Sequence, residues 1–292
     1  MIFLLLSILS SCLIYMVFKW IGKYQVDQLQ ALIINYITAF ILGDSLSVSE
    51  NFFSEVTAEP WFLGSAVLGV LFILVFYLMV QTTHHHGLGV VSVASKMSLS
   101  LPVLFVIFYY DEPLNLLKIL GIILALASVY LVSVTKNTNL RAAGFITLLP
   151  FLVFLGSGVV ESTIKYLEAS YVESDEVAYF SSSVFLFAGC TGIIGYIIQC
   201  FVKYKVFKLK SVIAGVALGI PNYFSIHFFI EALRSSGFTD AAVFVINNVS
   251  IVLLSTLVGI IVFSEKLEKQ NRLGVLMAVI AIGIVALASY QE

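Results

Sequence analysis

Charged residues are scarce in this sequence. Asp, Glu, Lys and Arg make up 11% of its 292 residues, whereas a soluble domain carries about 25%. Hydrophobic residues make up 60%, and the mean hydropathy is +1.06. Because a soluble protein of this length cannot hide so much apolar surface from water, the composition excludes an ordinary soluble domain.

Cysteines and catalytic motifs are also few or absent. The three cysteines, Cys12, Cys190 and Cys200, form no CxxC pair, so we expect no disulfide framework, no metal site and no cofactor. The net charge of −2 offers no basic surface to a nucleic acid. The sequence contains no serine-hydrolase, phosphate-binding-loop or HExxH motif. We therefore predict that the protein is not an enzyme, and that any transport runs on a gradient instead of ATP.

The sequence has instead ten apolar runs of about 18 to 24 residues, the length that an α-helix needs to cross a hydrocarbon core of about 30 Å. The period-two alternation of a membrane β-barrel is absent. These runs predict an all-α membrane protein with ten transmembrane helices. The predicted spans are residues 2–21, 26–45, 61–82, 87–109, 114–134, 143–165, 175–199, 210–231, 239–262 and 270–289.

The chain resembles itself at a fixed spacing. Glu112 followed by Gly121 matches Glu265 followed by Gly274, and both pairs have the same offset (265 − 112 = 274 − 121 = 153). This offset places five spans in each half. Since an odd number of crossings starts the second half on the opposite side, the pattern predicts two inverted five-helix repeats. The predicted repeats are residues 1–140 and 141–292.

Basic residues gather in alternate joints, those after spans 1, 5, 7 and 9, while the remaining joints are rich in carboxylates. Cytoplasmic loops carry an excess of Lys and Arg. The charge pattern therefore predicts basic joints inside the cell and both chain ends outside. The basic residues are Lys19, Lys23, Lys136, Arg141, Lys203, Lys205, Lys208, Lys210, Lys266, Lys269 and Arg272.

The order and spacing of these features resemble the drug/metabolite transporter superfamily, and within it the EamA-type proteins, over the whole chain. The resemblance implies alternating-access transport, often export of amino acids, metabolites or drugs, from a central cavity between the halves. It also implies chain ends inside the cell, opposite to the charge pattern, so import and export both stay open. The residues that carry the resemblance are Lys96 to Pro102, Glu112, Gly121, Asn247, Asn248, Glu265 and Gly274.

Lys96 is the leading candidate for a binding residue. It lies about nine residues into the fourth span, roughly 13 Å from the helix end, where a charge costs on the order of 2.5 to 3.5 kcal/mol. Ser92 and Ser95 lie on the same helix, and Pro102 frees a backbone carbonyl further on. We predict that Lys96 faces a cavity and attracts a substrate carboxylate, phosphate or other acceptor. The alternative is a structural lysine that pairs internally.

Four asparagines are further candidates for the cavity. Asn247 and Asn248 occupy the part of span 9 that corresponds to Lys96 in span 4, and Asn35 and Asn222 lie in spans 2 and 8. Buried amides need hydrogen-bond partners. Two roles are open for these asparagines: ligand binding, and hydrogen bonding between helices. The second contributes about 0.6 kcal/mol on average.

Span 8 combines a packing motif with polar candidates. Gly215 and Gly219 form a GxxxG pattern, which predicts close helix packing. Tyr223 is a candidate for the cavity wall. His227 and Glu231 are one turn apart and could form a proton path; packing is the alternative role for His227.

Glu161 in span 6 is a further candidate for proton coupling or substrate contact. Lys165 follows one turn later, so an ion pair between these two residues at the membrane interface is the plainer interpretation.

Taken together, the sequence predicts a secondary transporter for a small metabolite, amino-acid-like or organic-anion-like. We expect a multi-pass protein of the plasma (bacterial inner) membrane, whose partners are the substrate and lipid, as a monomer or homodimer. A lipid or polyprenyl-phosphate flippase is the second possibility and would need a groove open to lipid. A membrane-embedded enzyme is the third and would need clustered catalytic groups, whereas only isolated ones occur.

Overall fold

The computed structural model of the protein describes residues 1–46, 56–86, 88–133, 145–173, 175–202, 206–263 and 269–290. Over these stretches the chain forms helices and no strand. The helices are α1 (Ile2–Lys23), α2 (Gln28–Leu46), α3 (Phe62–His86), α4 (Leu88–Met97), α5 (Ser100–Tyr109), α6 (Leu116–Ser133), α7 (Phe145–Tyr171), α8 (Val177–Val202), α9 (Leu209–Ser235), α10 (Asp240–Phe263) and α11 (Lys269–Tyr290).

Eight helices in the described part of the chain are long and apolar enough to cross a membrane: α1, α2, α3 and α7 to α11. Two shorter apolar stretches, Ala94–Tyr109 and Leu116–Leu131, lie where the fourth and fifth spans are predicted. Many leucine and isoleucine side chains on these helices face outward, among them Leu63, Leu209 and Ile261 at 74–78% exposure. An outward-facing apolar surface suits lipid and not water, so the prediction of an all-α, multi-pass membrane protein is confirmed.

The fourth predicted span is not one continuous helix. It ends as α4 at Met97 and resumes as α5 at Ser100. At the break the amide of Leu101 donates to the carbonyl of Ser98 at 2.9 Å, three residues back instead of four. Pro102 explains this geometry, because it has no N–H to give the Ser98 carbonyl and its ring crowds that position.

Side-chain caps define where two of the helices begin. Asp27 Oδ1 accepts the amide of Gln30 at 3.2 Å before α2. Asn115 Oδ1 accepts the amide of Lys118 at 2.7 Å before α6. Such caps satisfy amides that have no carbonyl partner within their own helix.

The described helices form two compact units, and α3, α7 and α9 each contribute to both. The first unit consists of Ile2–Ile73 and Ile164–Ala232, and the second of Leu74–Thr163 and Leu233–Glu292 together with Met1.

In the first unit, α2 packs along α8, and α9 comes very close to α2. A Cβ atom on Gly215 of α9 would lie 2.6 Å from the carbonyl oxygen of Ala31, and one on Gly219 would lie 2.6 Å from that of Asn35. The prediction that this GxxxG pattern packs closely is therefore confirmed: only glycine leaves room for the α2 backbone.

In the second unit, α6 packs along α11. A Cβ atom on Gly121 of α6 would lie 2.6 Å from a methyl group of Val285 on α11. Asn271 near the start of α11 donates its Nδ2 to the carbonyl of Leu131 near the end of α6 at 3.0 Å. The two helices are thus joined by close packing along their length and by a hydrogen bond at one end.

Candidate functional site

Lys96 lies in the last turn of α4, one residue before the helix breaks. Its side chain is half-buried. The carbonyls at the C-terminal end of a helix carry partial negative charge, which favours a cation in the last turn. The break next to the lysine is a tightened turn of the 3₁₀ type, in which Leu99 keeps right-handed helical backbone angles.

Glu161 of α7 brings a carboxyl group to the same place. Lys96 and Asn248 of α10 both lie close enough to this carboxyl group to influence its charge. All three residues belong to the second unit. The site therefore brings together a lysine, a glutamate and an asparagine from three different helices.

Close helix packing explains why Glu161 reaches the break in the fourth span. Gly158, three residues earlier on the same face of α7, packs against Leu101 in the first turn of α5. Gly156 packs against Val75 of α3, with 2.7 Å between a Cβ on the glycine and a methyl group of the valine. Small residues let α7 approach both neighbours, and the carboxyl group of Glu161 follows one turn beyond.

The carboxyl group of Glu161 is only partly satisfied. Its Oε2 atom is buried and has no hydrogen-bond partner among the residues that the structure describes. Asn248 is 6% exposed, and its Nδ2 also donates to the carbonyl of Phe244 at 3.2 Å. An amide nitrogen has two hydrogens, and the bond to Phe244 uses one of them.

The expected ion pair between Glu161 and Lys165 is replaced by another pairing. Lys165 Nζ lies 2.9 Å from Glu168 Oε2, and both side chains are nearly completely buried. The helix α7 continues to Tyr171, so Glu161 lies ten residues before its end. Lys165 is thus paired with Glu168, which lies beyond the predicted span 143–165, and Glu161 remains a candidate for proton coupling or substrate contact.

Two of the candidate asparagines bind each other. Asn222 Nδ2 of α9 donates to Asn35 Oδ1 of α2 at 3.2 Å, in the first unit. This is the helix-to-helix hydrogen bond, one of the two interpretations that the sequence left open. The close approach at Gly219, which contacts the backbone of Asn35, brings the two amides within reach.

Tyr223 and His227 of α9 form a stacked pair in the first unit. Their ring centroids are 5.5 Å apart and their planes differ by 14°. Among the described residues, neither the hydroxyl of Tyr223 nor Nδ1 of His227 has a hydrogen-bond partner, although both atoms are buried. His227 also contacts Phe228 edge to face. The contacts around this pair are those of an aromatic core.

The remaining candidates are placed as follows. Ser95 is half-buried beside Lys96, and Asn247 is buried beside Asn248. Glu231 is half-buried one turn after His227. Ser92 lies in α4, but its side chain is outside the described part of the structure, as are Glu265 and several of the basic joint residues.

The structure adds a second ion pair at the joint after α5. Lys118 Nζ lies 2.9 Å from Glu112 Oε1, and Glu112 Oε2 accepts the amide of Ala241 at 3.0 Å. Glu112 thus caps the start of α10, the helix that carries Asn248 about two turns later. The internal repeat singles out Glu112, but no sequence pattern identifies Lys118 or Ala241 as its partners.

Comparisons with known proteins define the fold and leave the activity open. No family model matches the chain. The chain is similar to an uncharacterized protein of Haemophilus influenzae, 29% identical over 287 residues, which cover 96% of this chain and 95% of that protein. It is also similar to a protein of known crystal structure, with a TM-score of 0.75 and 14% identity over 99% of this chain and 97% of the other. At that identity the likeness shows a shared fold alone.

Proposed function

We propose that this protein is a secondary transporter of the drug/metabolite transporter superfamily, similar to its EamA-type members. In this proposal ten crossing helices form two inverted repeats, residues 1–140 and 141–292, and move a small metabolite across the plasma membrane by alternating access. Lys96 binds an anionic group of the solute, which is amino-acid-like or organic-anion-like.

The observation that carries the proposal is the half-buried Lys96 in the last turn of α4, beside the break in the fourth span and near the carboxyl group of Glu161. Ionisable side chains inside membrane helices are rare and mark substrate or ion pathways. In many secondary transporters discontinuous helices near the middle of the bilayer form the substrate site. Glu161 lies about 20 Å from Leu148, the start of the apolar part of α7, and about 15 Å from its end at Tyr171, which agrees with such a depth.

The helix pairs within the two units support the inverted repeats. Shifting α2 by the offset of 153 residues gives 181–199, which lies within α8; shifting α6 gives 269–286, which lies within α11. Each unit therefore contains one pair of packed helices that are equivalent in the repeat. Equivalent elements packed against each other are what a two-fold axis in the membrane plane produces.

The test is solute binding and counterflow by the purified protein. We expect a screen of amino acids, organic acids and nucleosides to identify a solute that raises the melting temperature in detergent. Liposomes preloaded with that solute should then accumulate its labelled form. Lys96→Met should weaken binding about 10- to 100-fold, because a hydrogen bond to a charged group contributes roughly 1.5 to 3 kcal/mol, and Lys96→Arg should retain part of it.

Lys210→Met is the matched control, since it removes an exposed lysine at the start of α9. It should bind and exchange the solute as the wild type does. If Lys96→Met remains folded and exchanges solute normally, the proposed site is wrong. If phospholipid or polyprenyl-phosphate, and no water-soluble compound, is moved, the protein is a flippase.

A further inference from the structure

We propose that two joints of the first unit, the one between α1 and α2 and the one between α8 and α9, together bind the headgroup of an anionic phospholipid. Lys23 and Lys208 are the residues that meet its phosphate. We call this site the lysine surface; its residues are Trp20, Lys23, Tyr24, Val206 and Lys208. The inference concerns a lipid partner and does not depend on the transport activity proposed above.

A buried glutamine holds the two joints together. Gln30, in the first turn of α2, is 1% exposed. Its Nε2 donates to the carbonyl of Val206 at 2.9 Å, and its Oε1 accepts the amide of Lys208 at 3.1 Å. Because both ends of one buried amide bind the backbone just before α9, the joint between α8 and α9 lies against the start of α2. The two joints therefore form one continuous surface.

Further contacts fix each joint in position. The ring of Phe207 packs edge to face against Tyr196 of α8, with 5.4 Å between the ring centroids. The hydroxyl of Tyr196 accepts a second hydrogen bond from Nε2 of Gln30 at 3.4 Å. In the other joint, the amide of Val26 donates to the carbonyl of Ile21 at 3.1 Å, which closes the turn after α1. The lysines on both joints are thus presented by an ordered backbone.

The two joints carry a strong positive charge. Residues 19–30 and 201–208 contain five lysines and one acidic residue, a net charge of +4. The acidic residue, Asp27, caps α2 by accepting the amide of Gln30 at 3.2 Å. The side chains of Lys23 and Lys208 are exposed. Clusters of lysines next to a membrane helix bind anionic lipid headgroups. The five lysines are Lys19, Lys23, Lys203, Lys205 and Lys208.

Exposed apolar and aromatic side chains lie beside these ammonium groups. Trp20 and Tyr24 are 46% and 60% exposed, and Val206, two residues before Lys208, is 62% exposed. Nζ of Lys23 lies 5.8 Å from the centre of the Tyr24 ring. Trp and Tyr rings prefer the level of the headgroups, and lysines reach that level from the apolar region. A phospholipid offers phosphate to the lysines and acyl chains to the apolar side chains, whereas a soluble phosphate compound offers only the phosphate.

Quenching of Trp20 fluorescence by brominated lipid tests the proposal. The full-length protein is reconstituted in phosphatidylcholine vesicles that contain brominated phosphatidylglycerol or, at the same mole fraction, brominated phosphatidylcholine. Trp61, the other tryptophan, is completely buried and supplies a constant background. We expect the quenching curves to give phosphatidylglycerol a binding constant about tenfold or more above that of phosphatidylcholine, because only the first is anionic.

Two double variants separate the lysine surface from general surface charge. Lys23→Gln/Lys208→Gln should bring the two binding constants within about threefold of each other, since each lysine near an anionic headgroup contributes about fivefold in affinity. Lys269→Gln/Arg272→Gln is the matched control, because it removes two exposed basic residues from the start of α11. It should keep the wild-type preference.

Three results would overturn the proposal. The first is wild-type quenching that does not depend on the charge of the headgroup. The second is an equal loss of preference in both double variants, which would mean that any basic residue attracts the lipid. The third is loss of the preference when inorganic phosphate is added at constant ionic strength, because the occupant would then be a soluble anion. None of these results bears on solute transport, which counterflow tests separately.

Discussion

The ammonium group of Lys118, whose side chain is completely buried, lies 2.9 Å from the carboxylate of Glu112. The same nitrogen donates to the carbonyl of Pro113 at 2.8 Å, and Glu112 in turn accepts the amide of Ala241. One buried ion pair therefore joins the start of α6 to the start of α10.

Replacing one partner of this pair should destabilise the protein strongly. Lys118→Met removes the ammonium group and leaves the Glu112 carboxylate without its ionic partner. Breaking a buried ion pair in this way costs about 3 to 5 kcal/mol. We expect a large drop in the melting temperature of the purified protein in detergent.

The double variant Lys118→Met/Glu112→Gln should recover part of the loss, because it removes the uncompensated charge as well. Lys210→Met, at an exposed position, should change stability by less than about 0.5 kcal/mol. Equal melting temperatures for wild type and Lys118→Met would show that the ion pair between Lys118 and Glu112 does not stabilise the protein.

The contact between α9 and α2 should tolerate no side chain larger than glycine's. Gly215→Leu must push Ala31 and Ile34 of α2 away, since even a Cβ atom would lie 2.6 Å from the Ala31 carbonyl oxygen. Overpacking of this kind costs about 1 to 3 kcal/mol or more, and thermal unfolding in detergent measures it.

Gly195→Leu is the matched control for that substitution. A Cβ on Gly195 of α8 meets nothing within 4 Å, and leucine is a better helix former than glycine by up to about 1 kcal/mol. We expect this variant to be as stable as the wild type or slightly more. A similar loss of stability in both variants would mean that the close approach of α9 to α2 does not limit the size of the side chain at position 215.

Stability should depend on the protonation of Glu59, which precedes α3. Burial raises the pKa of its carboxyl group above the ordinary 4.5, and the neighbouring carboxylates of Glu176 and Glu173 raise that pKa further. The folded state therefore binds this proton more tightly than the unfolded state. Its stabilising contribution is complete below the ordinary pKa and is lost as the pH rises through the raised one.

Glu59→Gln mimics the protonated form and removes this dependence. The variant should melt at a higher temperature than the wild type at pH 8, and at nearly the same temperature at pH 4. Melting curves across that pH range measure the difference. A variant that is less stable than the wild type at pH 8 would contradict the assigned repulsion from Glu176.

The orientation of the chain can be tested at two exposed residues. The Lys/Arg pattern predicts that Lys210 lies inside the cell and that Leu114, in the joint after α5, lies outside. In a variant without the three native cysteines, Leu114→Cys should react with an impermeant maleimide in intact cells, and Lys210→Cys only after permeabilisation. The reverse result would favour the orientation that the family resemblance implies.

The candidate site was predictable as single residues and not as a group. Lys96, Glu161 and Asn248 each stand out because a polar side chain in an apolar helix is costly. Their association required knowing which faces of α4, α7 and α10 meet, and the glycines that allow α7 to approach its neighbours give only a weak signal in the sequence. For the same reason Lys165 was paired with the wrong glutamate.

The sequence by itself determined that this chain lies in a membrane as a set of helices. Hydropathy and length act locally, since a helix in lipid satisfies its backbone hydrogen bonds within its own span. Pro102 likewise breaks the helix between α4 and α5 through a local effect, because it has no N–H to donate. The tertiary structure alone decided that Asn222 meets Asn35, that Lys118 meets Glu112, and that Glu161 lies near Lys96 and Asn248. Those contacts join residues of different helices. The way the helices pack selects each partner, and periodicity along the chain does not.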